Sequence, residues 1–313
     1  MKTPVRVALI GYGFLGKWHG QKVAMLESQG LCKFSLIVDK SEKSRELAKI
    51  NHPSVRIEES LEKNWDEFDA ALVVTPTSLH FEIIKELIRN KKHIFCEKPL
   101  TSRLEDALEI KGLLEGSDLV FQVGHSERFH EALEKLIEYK NVLEIPSLIK
   151  INRFAAFKGR ASDVDVVGDV MVHDLDILMY LFNELPNSNT SRGFKIVTKN
   201  WDHVEAELKF PSGRIAQVNA SRNYSKEVRS LEVTNSLGHL YVDLLNPGLT
   251  FVSPDGKIET FSFNKRDHLL IEQEKFYRAI LFKEPVPVGL EDGLQAVRLV
   301  DLVLRGLDQD QYV

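Results

Sequence analysis

The sequence predicts an α/β fold in two domains, residues 1–124 as a doubly wound parallel sheet and residues 125–313 as an α+β domain with an open, mostly antiparallel sheet. Three observations predict it. Short apolar runs alternate with helical patterns through the first half, as doubly covered strands and their crossover helices do. From residue 193 onward the runs are short and divided by Pro/Gly turns, and the clearest of them alternates apolar with polar side chains, as antiparallel strands with one wet face do. The length of 313 residues exceeds the usual size of one domain.

The first element is the apolar run Val5 to Ile10, which breaks into Gly11-Tyr12-Gly13-Phe14-Leu15-Gly16 before a helical pattern from Leu15 to Gln29. Strand, glycine turn and helix in that order give a G-x-G-x-x-G match its meaning as a Rossmann dinucleotide turn. Gly11 serves the tight turn, Gly13 the approach of backbone to a pyrophosphate, and Gly16 the close packing of helix on strand. The N–H groups of the helix start, at Phe14 and Leu15, then face the phosphates. The next strand, Phe34 to Val38, ends on Asp39. A carboxylate there accepts from ribose hydroxyls and repels a 2′-phosphate, which favours NAD. Lys40, Ser41 and Arg45 stand close enough to accommodate that phosphate, so NADP stays open.

Composition narrows the classes. Hydrophobic residues at 43% and charged residues at 28% are those of a globular protein with a real core. A net charge of −5 gives no reason to expect nucleic acid as a partner. The start of the chain lacks a signal-peptide pattern and no apolar run reaches membrane-spanning length, so the expectation is a cytoplasmic protein with no membrane partner. Cys32 and Cys96 have neither metal-ligand spacing nor the look of a disulfide framework.

Next come a helix near Glu42 to Lys49, a short strand near Val55 to Ile57 and a helix near Leu61 to Trp65. The run Ala70 to Thr75 is a central strand, followed by a loop through Thr75, Pro76 and His80 and a helix Phe81 to Asn90. Those loop residues should border the nicotinamide half of a bound dinucleotide, because they lie across the switch point from the first strand. The fifth strand, His93 to Cys96, delivers Glu97-Lys98-Pro99 to the same edge, where ligands bind. An ammonium at Lys98 can share a proton with a substrate hydroxyl; the plainer alternative is a solvated loop lysine. Cys96 reads as a small buried hydrophobe. A helix Leu104 to Glu115 and a strand Leu119 to Val123 complete the half.

In the second half a helix near His130 to Tyr139 precedes a strand Leu148 to Ala155 and a loop in which Lys158 and Arg160 can meet an anionic substrate, a solvated loop being the plainer reading of either residue. The segment Gly168 to Ile177 opens a helix running to about Phe182. At helical spacing Asp169, His173 and Asp176 share one face, and a carboxylate one turn from an imidazole can hold one tautomer of a general base. Two carboxylates and one imidazole can also bind a divalent ion, but no further His or Cys is supplied, so no metal site is expected. Strands follow over His203 to Phe210, Arg214 to Ser221, Val228 to Thr234, Leu240 to Leu244, Thr250 to Ser253 and Ile258 to Phe263. Helices Leu269 to Phe282 and Glu291 to Gly306 close the chain.

The series Gly11-x-Gly13-x-x-Gly16-x-x-His19, Thr75-Pro76 with His80, Cys96-Glu97-Lys98-Pro99-Leu100 and Gly124-His125-x-x-Arg128-Phe129 is similar to the Gfo/Idh/MocA family, named for glucose-fructose oxidoreductase, inositol dehydrogenase and MocA. The resemblance extends over nearly the whole chain, and the Glu-Lys-Pro block is its most specific part. It implies that the family's lysine is Lys98, ahead of a Lys98–Pro99 peptide that is often cis. The family's Asp-x-x-x-His motif falls on Asp169 and His173, which implies His173 as the base. Glu97 joins Gly11, Gly13, Phe14, Leu15, Gly16, Asp39, Lys40, Thr75, Pro76, His80 and Lys98 as candidate cofactor contacts. Arg128 and Arg153 join Lys98, Asp169 and His173 as candidate substrate contacts.

Where many members carry Gly two residues before that histidine, this chain carries Met171. The variant resembles a subgroup of sugar-nucleotide dehydrogenases acting on UDP-N-acetylglucosamine. The implied activity is that of an NAD(P)-dependent dehydrogenase of a secondary alcohol on a sugar, sugar nucleotide or cyclitol. The family also commonly forms a homodimer or homotetramer through the second sheet. A dinucleotide-binding regulator and a biliverdin-type reductase are the rival readings, and neither needs both Lys98 and the Asp169/His173 pair.

Overall fold

The computed structural model describes residues 3–157, 159 and 164–309. Lys158 and Arg160 lie outside the described residues. The chain divides into two compact units, one of residues 1–126 with 267–294, the other of 127–266 with 295–313. Sequence reading places 267–294 with the second domain; in the structure the helix of this segment packs on the first core.

The first unit is built on six parallel strands, β1 (Val5–Ile10), β2 (Cys32–Val38), β3 (Arg56–Glu58), β4 (Ala70–Val73), β5 (His93–Glu97) and β6 (Phe121–Gly124). Their order is β3-β2-β1-β4-β5-β6, the doubly wound arrangement whose strand order reverses between β1 and β4. Every residue of β4 and β6 is buried, which is why β4 reads as an unbroken apolar run; β6 carries Gln122 within it, its side chain donating to the Glu272 carbonyl. Helices α1 (Phe14–Ser28), α2 (Glu42–Asn51), α3 (His80–Arg89) and α4 (Leu104–Leu114) provide the crossovers. The helix expected over 61–65 is absent; a single 3-10 turn, Trp65–Glu67, overlaps only its last residue.

In the second unit come α5 (Glu131–Ile137), α6 (Lys140–Leu143), β7 (Leu148–Phe154), α7 (Val172–Phe182) and β8 (Ser188–Phe194). Strands β9 (His203–Lys209), β10 (Ile215–Ser221), β11 (Val228–Asn235), β12 (Gly238–Asp243), β13 (Gly248–Val252) and β14 (Ile258–Ser262) follow. They form one sheet in the order β14-β13-β12-β11-β7-β10-β9-β8. All neighbours are antiparallel except β7 and β10, whose pairing is parallel because the chain returns through α7 and two further strands. One face carries the core, with Ile149, Val204, Val218, Leu231 and Leu240 against Leu133, Leu175 and Leu178. Lys150, Arg192, Glu205, Glu207 and Gln217 line a shallow, polar cavity of about 440 Å³.

The last two helices are α8 (His268–Phe282) and α9 (Leu290–Gln309). Phe276 and Tyr277 of α8 sit fully buried in the first unit's core with Leu9, Leu26 and Phe95.

Candidate active site

Each glycine of the first turn meets a separate steric demand. Gly11 has φ of +95°, and a Cβ there would lie 2.5 Å from the Val74 carbonyl oxygen. A Cβ on Gly16 would come within 2.1 Å of the Gly11 carbonyl oxygen, so β1 and α1 can only meet this closely without one. Around Gly13 nothing lies within 4 Å of the same position. The chain is therefore open at the residue a diphosphate must approach and tight at the other two, and α1 begins there with neither a side-chain cap nor an acidic residue in its first turn. Phe14 and Leu15, the first residues of that helix, are exposed.

Gly11, Gly13, Asp39, Lys40, Thr75 and Pro76 share the wall of one cavity of about 570 Å³. Asp39 Oδ2 accepts the Tyr12 N–H at 2.6 Å and Oδ1 the Ser41 N–H at 2.7 Å, which leaves each oxygen a second lone pair. Arg45 is turned away to the Asp39 and Lys40 carbonyls. The buried Thr75 hydroxyl has no hydrogen-bond partner among the described residues. Leu61, Leu79 and Ile83 form the apolar part of the wall; sequence reading missed them because isolated aliphatics carry no motif. A glycine cradle open at Gly13, a carboxylate with spare lone pairs, an orphaned hydroxyl and an apolar slot together fit a dinucleotide.

His80 and Glu97 are buried beside this wall. The His80 ring sits between two loops, with Nε2 3.0 Å from the Thr75 carbonyl and Nδ1 3.0 Å from the Pro99 carbonyl. Burial lowers its pKa, so one of the two contacts at a time carries a proton. Cys96 is fully buried, its thiol pushed up by burial and by the Glu97 charge.

Glu97 ends β5 and organises the turn that follows. Its Oε2 accepts the Lys98 backbone N–H at 3.1 Å and its Oε1 lies 2.8 Å from His19 Nε2. Burial works against its charge, but the hydrogen bond from His19 and the charge of Lys98 hold Glu97 below the usual carboxylate range. The Lys98–Pro99 peptide is cis and Lys98 is half-buried. Two residues of α8 that sequence reading missed complete the surroundings: Gln273 lies 2.8 Å from His19 Nδ1, and Glu272 has a carboxylate oxygen within 4.8 Å of ligand atoms of His19 and Glu97. Only the G-x-G-x-x-G-x-x-H spacing of His19 hinted at this layer.

In the second unit the segment before His173 is not a regular α-helix. Val167–Met171 forms a π turn, the Asp165 side chain just before it accepting the Gly168 N–H at 2.7 Å, and α7 begins only at Val172. Asp169 and His173 are both half-buried, Asp169 on the π turn and His173 in the first turn of the helix. Asp176, expected on their face, is instead buried and held by Arg128 through bonds of 2.8 and 2.6 Å. Arg153 is likewise buried, with bonds to Asp174 at 2.8 to 3.1 Å and to Glu127 at 3.2 Å. Against the cost of burial, those two carboxylates keep the Arg153 guanidinium charged. The two candidate substrate arginines thus brace α7 from inside, through Asp174 and Asp176, one and three residues after His173.

The comparisons agree with this geometry. Residues 5–125 match the model described as an oxidoreductase family with an NAD-binding Rossmann fold, and residues 153–241 match the GFO/IDH/MocA C-terminal domain. UDP-N-acetylglucosamine 3-dehydrogenase of Acidithiobacillus ferrooxidans is 30% identical over 96% of each chain. A solved structure of that enzyme superposes with a TM-score of 0.89, covering 98% of this chain and 99% of the other. Myo-inositol 2-dehydrogenase of Thermotoga maritima is 24% identical over 99% of this chain and 98% of its own. No helix among the described residues is long and apolar enough to cross a membrane. With both halves matched and a 30% identical relative along almost its whole length, the chain belongs to the GFO/IDH/MocA family of oxidoreductases.

Proposed function

We propose that the protein is an NAD-dependent dehydrogenase that oxidises a secondary alcohol of a sugar nucleotide, with UDP-N-acetylglucosamine as the first substrate to test. The observation that carries the reading is the lysine turn. Lys98 leaves the carboxyl end of β5, the edge at which parallel sheets bind ligands, and Glu97 fixes its backbone from below. The similarity to UDP-N-acetylglucosamine 3-dehydrogenase, which extends over nearly the full length of both chains, supports that choice of substrate.

The glycine turn and Asp39 would hold the dinucleotide, whose nicotinamide supplies the hydride acceptor when bound. His173, oriented by Asp169, takes the hydroxyl proton. Lys98 donates a hydrogen bond to the oxygen on which negative charge develops. Arg128 and Arg153 are substrate-site residues in this reading through the helix they brace. NAD is preferred to NADP because the ribose 2′-phosphate of NADP would meet the Asp39 carboxylate, while Arg45 is occupied by backbone carbonyls. The polar face of the second sheet is the proposed surface of self-association, to be checked by light scattering.

The test is to incubate the protein with NAD or NADP and with UDP-N-acetylglucosamine, N-acetylglucosamine or myo-inositol, following the absorbance of the reduced cofactor. Reduction of NAD by the nucleotide sugar is the expected result. Tight NAD binding with no reduction by any of the three would favour the regulator.

A further inference from the structure

His19, Glu97 and Glu272 form a fully buried trio on α1, β5 and α8 of the first unit, each offering a ligand atom within 4.8 Å of the others. Such a grouping can hold a cation or a proton, and hydrogen-bond direction decides between them. The Gln273 Nε2 group lies 3.4 Å from the His19 carbonyl oxygen, which only an amide N–H can face favourably. Gln273 therefore donates to His19 Nδ1 at 2.8 Å, and the imidazole proton must sit on Nε2, where it is donated to Glu97 Oε1 at 2.8 Å. A metal ion would have to displace that proton and would find only three protein ligands.

Glu272 is different. It is fully buried, and neither carboxyl oxygen has a hydrogen-bond partner among the described residues. The charges that face it are negative: Glu97, and Asp267 at the start of α8, itself paired with Lys22. Burial first and Glu97 second push its pKa well above the ordinary carboxylate range. Two hydrogen bonds meeting at one water span about 4.5 Å, so a single water can join the two carboxyl groups.

We propose that Glu272 is a positioning residue for Lys98, an uncharged acid that directs its proton to Glu97 and so steadies the carboxylate to which the Lys98 backbone is tied. Only the catalytic part of this inference rests on the proposed role of Lys98. A charged Glu272 would place two anions in one buried space and loosen the Lys98 turn.

Infrared spectra of the full-length protein test the protonation state directly. A buried neutral carboxyl gives a carbonyl stretch above the amide band; it should be present near neutral pH, absent in Glu272→Gln, and lost from the wild type at alkaline pH. With UDP-N-acetylglucosamine and NAD, Glu272→Gln should retain kcat at neutral pH within about threefold and no longer show the wild type's alkaline loss. Glu272→Leu should lower kcat about tenfold, the worth of one buried hydrogen bond, with NAD affinity measured by titration unchanged. An identical carbonyl region in wild type and Glu272→Gln would overturn the proposal. So would a stoichiometric divalent ion in the purified protein that EDTA or Glu272→Gln removes. If no nucleotide sugar is oxidised, the proposed function fails while the spectra and the metal content still decide the state of Glu272.

Discussion

Asp39 at the end of β2 accepts the backbone N–H of Tyr12, inside the glycine turn, at 2.6 Å. The residue proposed to read the ribose therefore also fixes the turn proposed to read the diphosphate, so in this reading the two halves of cofactor recognition form one mechanical unit. Asp39→Ala should lower kcat/KM for NAD by about 10- to 100-fold, since a hydrogen bond to a charged group contributes about 1.5 to 3 kcal/mol. The same change should narrow the gap between NAD and NADP. Steady-state kinetics with both cofactors checks it.

The glycine turn separates folding from binding. Gly13→Ala should keep the wild-type melting temperature and weaken NAD binding, because open space surrounds that position. Gly16→Ala should lower the melting temperature as well, because its Cβ meets the Gly11 carbonyl oxygen at 2.1 Å. Thermal melts and calorimetric NAD titrations on both variants give the comparison.

Lys98→Ala and His173→Ala should each lower kcat by about a hundredfold or more, the usual contribution of general acid–base groups, with NAD affinity nearly unchanged. Both side chains are only half-buried, so both variants should fold and melt close to the wild type. Turnover equal to the wild type in both would remove these roles.

The bracing of α7 is tested through stability and pH. Asp174→Ala leaves Arg153 buried without its bidentate partner and should cost about 3 to 5 kcal/mol in urea unfolding. Burial would raise the Glu127 carboxyl, but Arg153 and Arg229 outweigh it and bring it from 4.5 to about 2. Because the folded value is the lower one, the stability tied to this charge is complete above pH 4.5 and is lost as the pH falls through about 2. The amount is on the order of 3 kcal/mol. Urea midpoints between pH 5 and pH 2 should fall less steeply in Glu127→Gln than in the wild type.

Much of this architecture was legible because local rules and tertiary structure agree. Parallel strands covered on both faces must be continuously apolar, so β1, β4 and β5 announce themselves, and the glycine spacing follows from contacts only glycine permits. The alternation in β9 and the Pro/Gly turns beyond it made the second sheet readable in the same way. Polar β8, Ser-Asn-Thr-Ser-Arg-Gly-Phe, was missed because its identity comes from pairing with β9 rather than from its own residues. The π turn at Val167–Met171 was missed because nothing in five ordinary residues distinguishes i+5 from i+4 bonding. Glu272 was invisible for a simpler reason: an acidic residue on a helix reads as solvent-facing, and only the packing of α8 puts it inside.

That packing also sets the order in which the chain can be completed. The first unit's core closes on Phe276, Tyr277 and Leu281, which leave the ribosome only after all eight strands of the second sheet. A fragment ending near residue 126 would present Leu9, Leu26 and Phe95 without the helix that shields them. The nucleotide-binding half is thus an early beginning with a late finish, and it must wait, partly uncovered, while the intervening sheet is made.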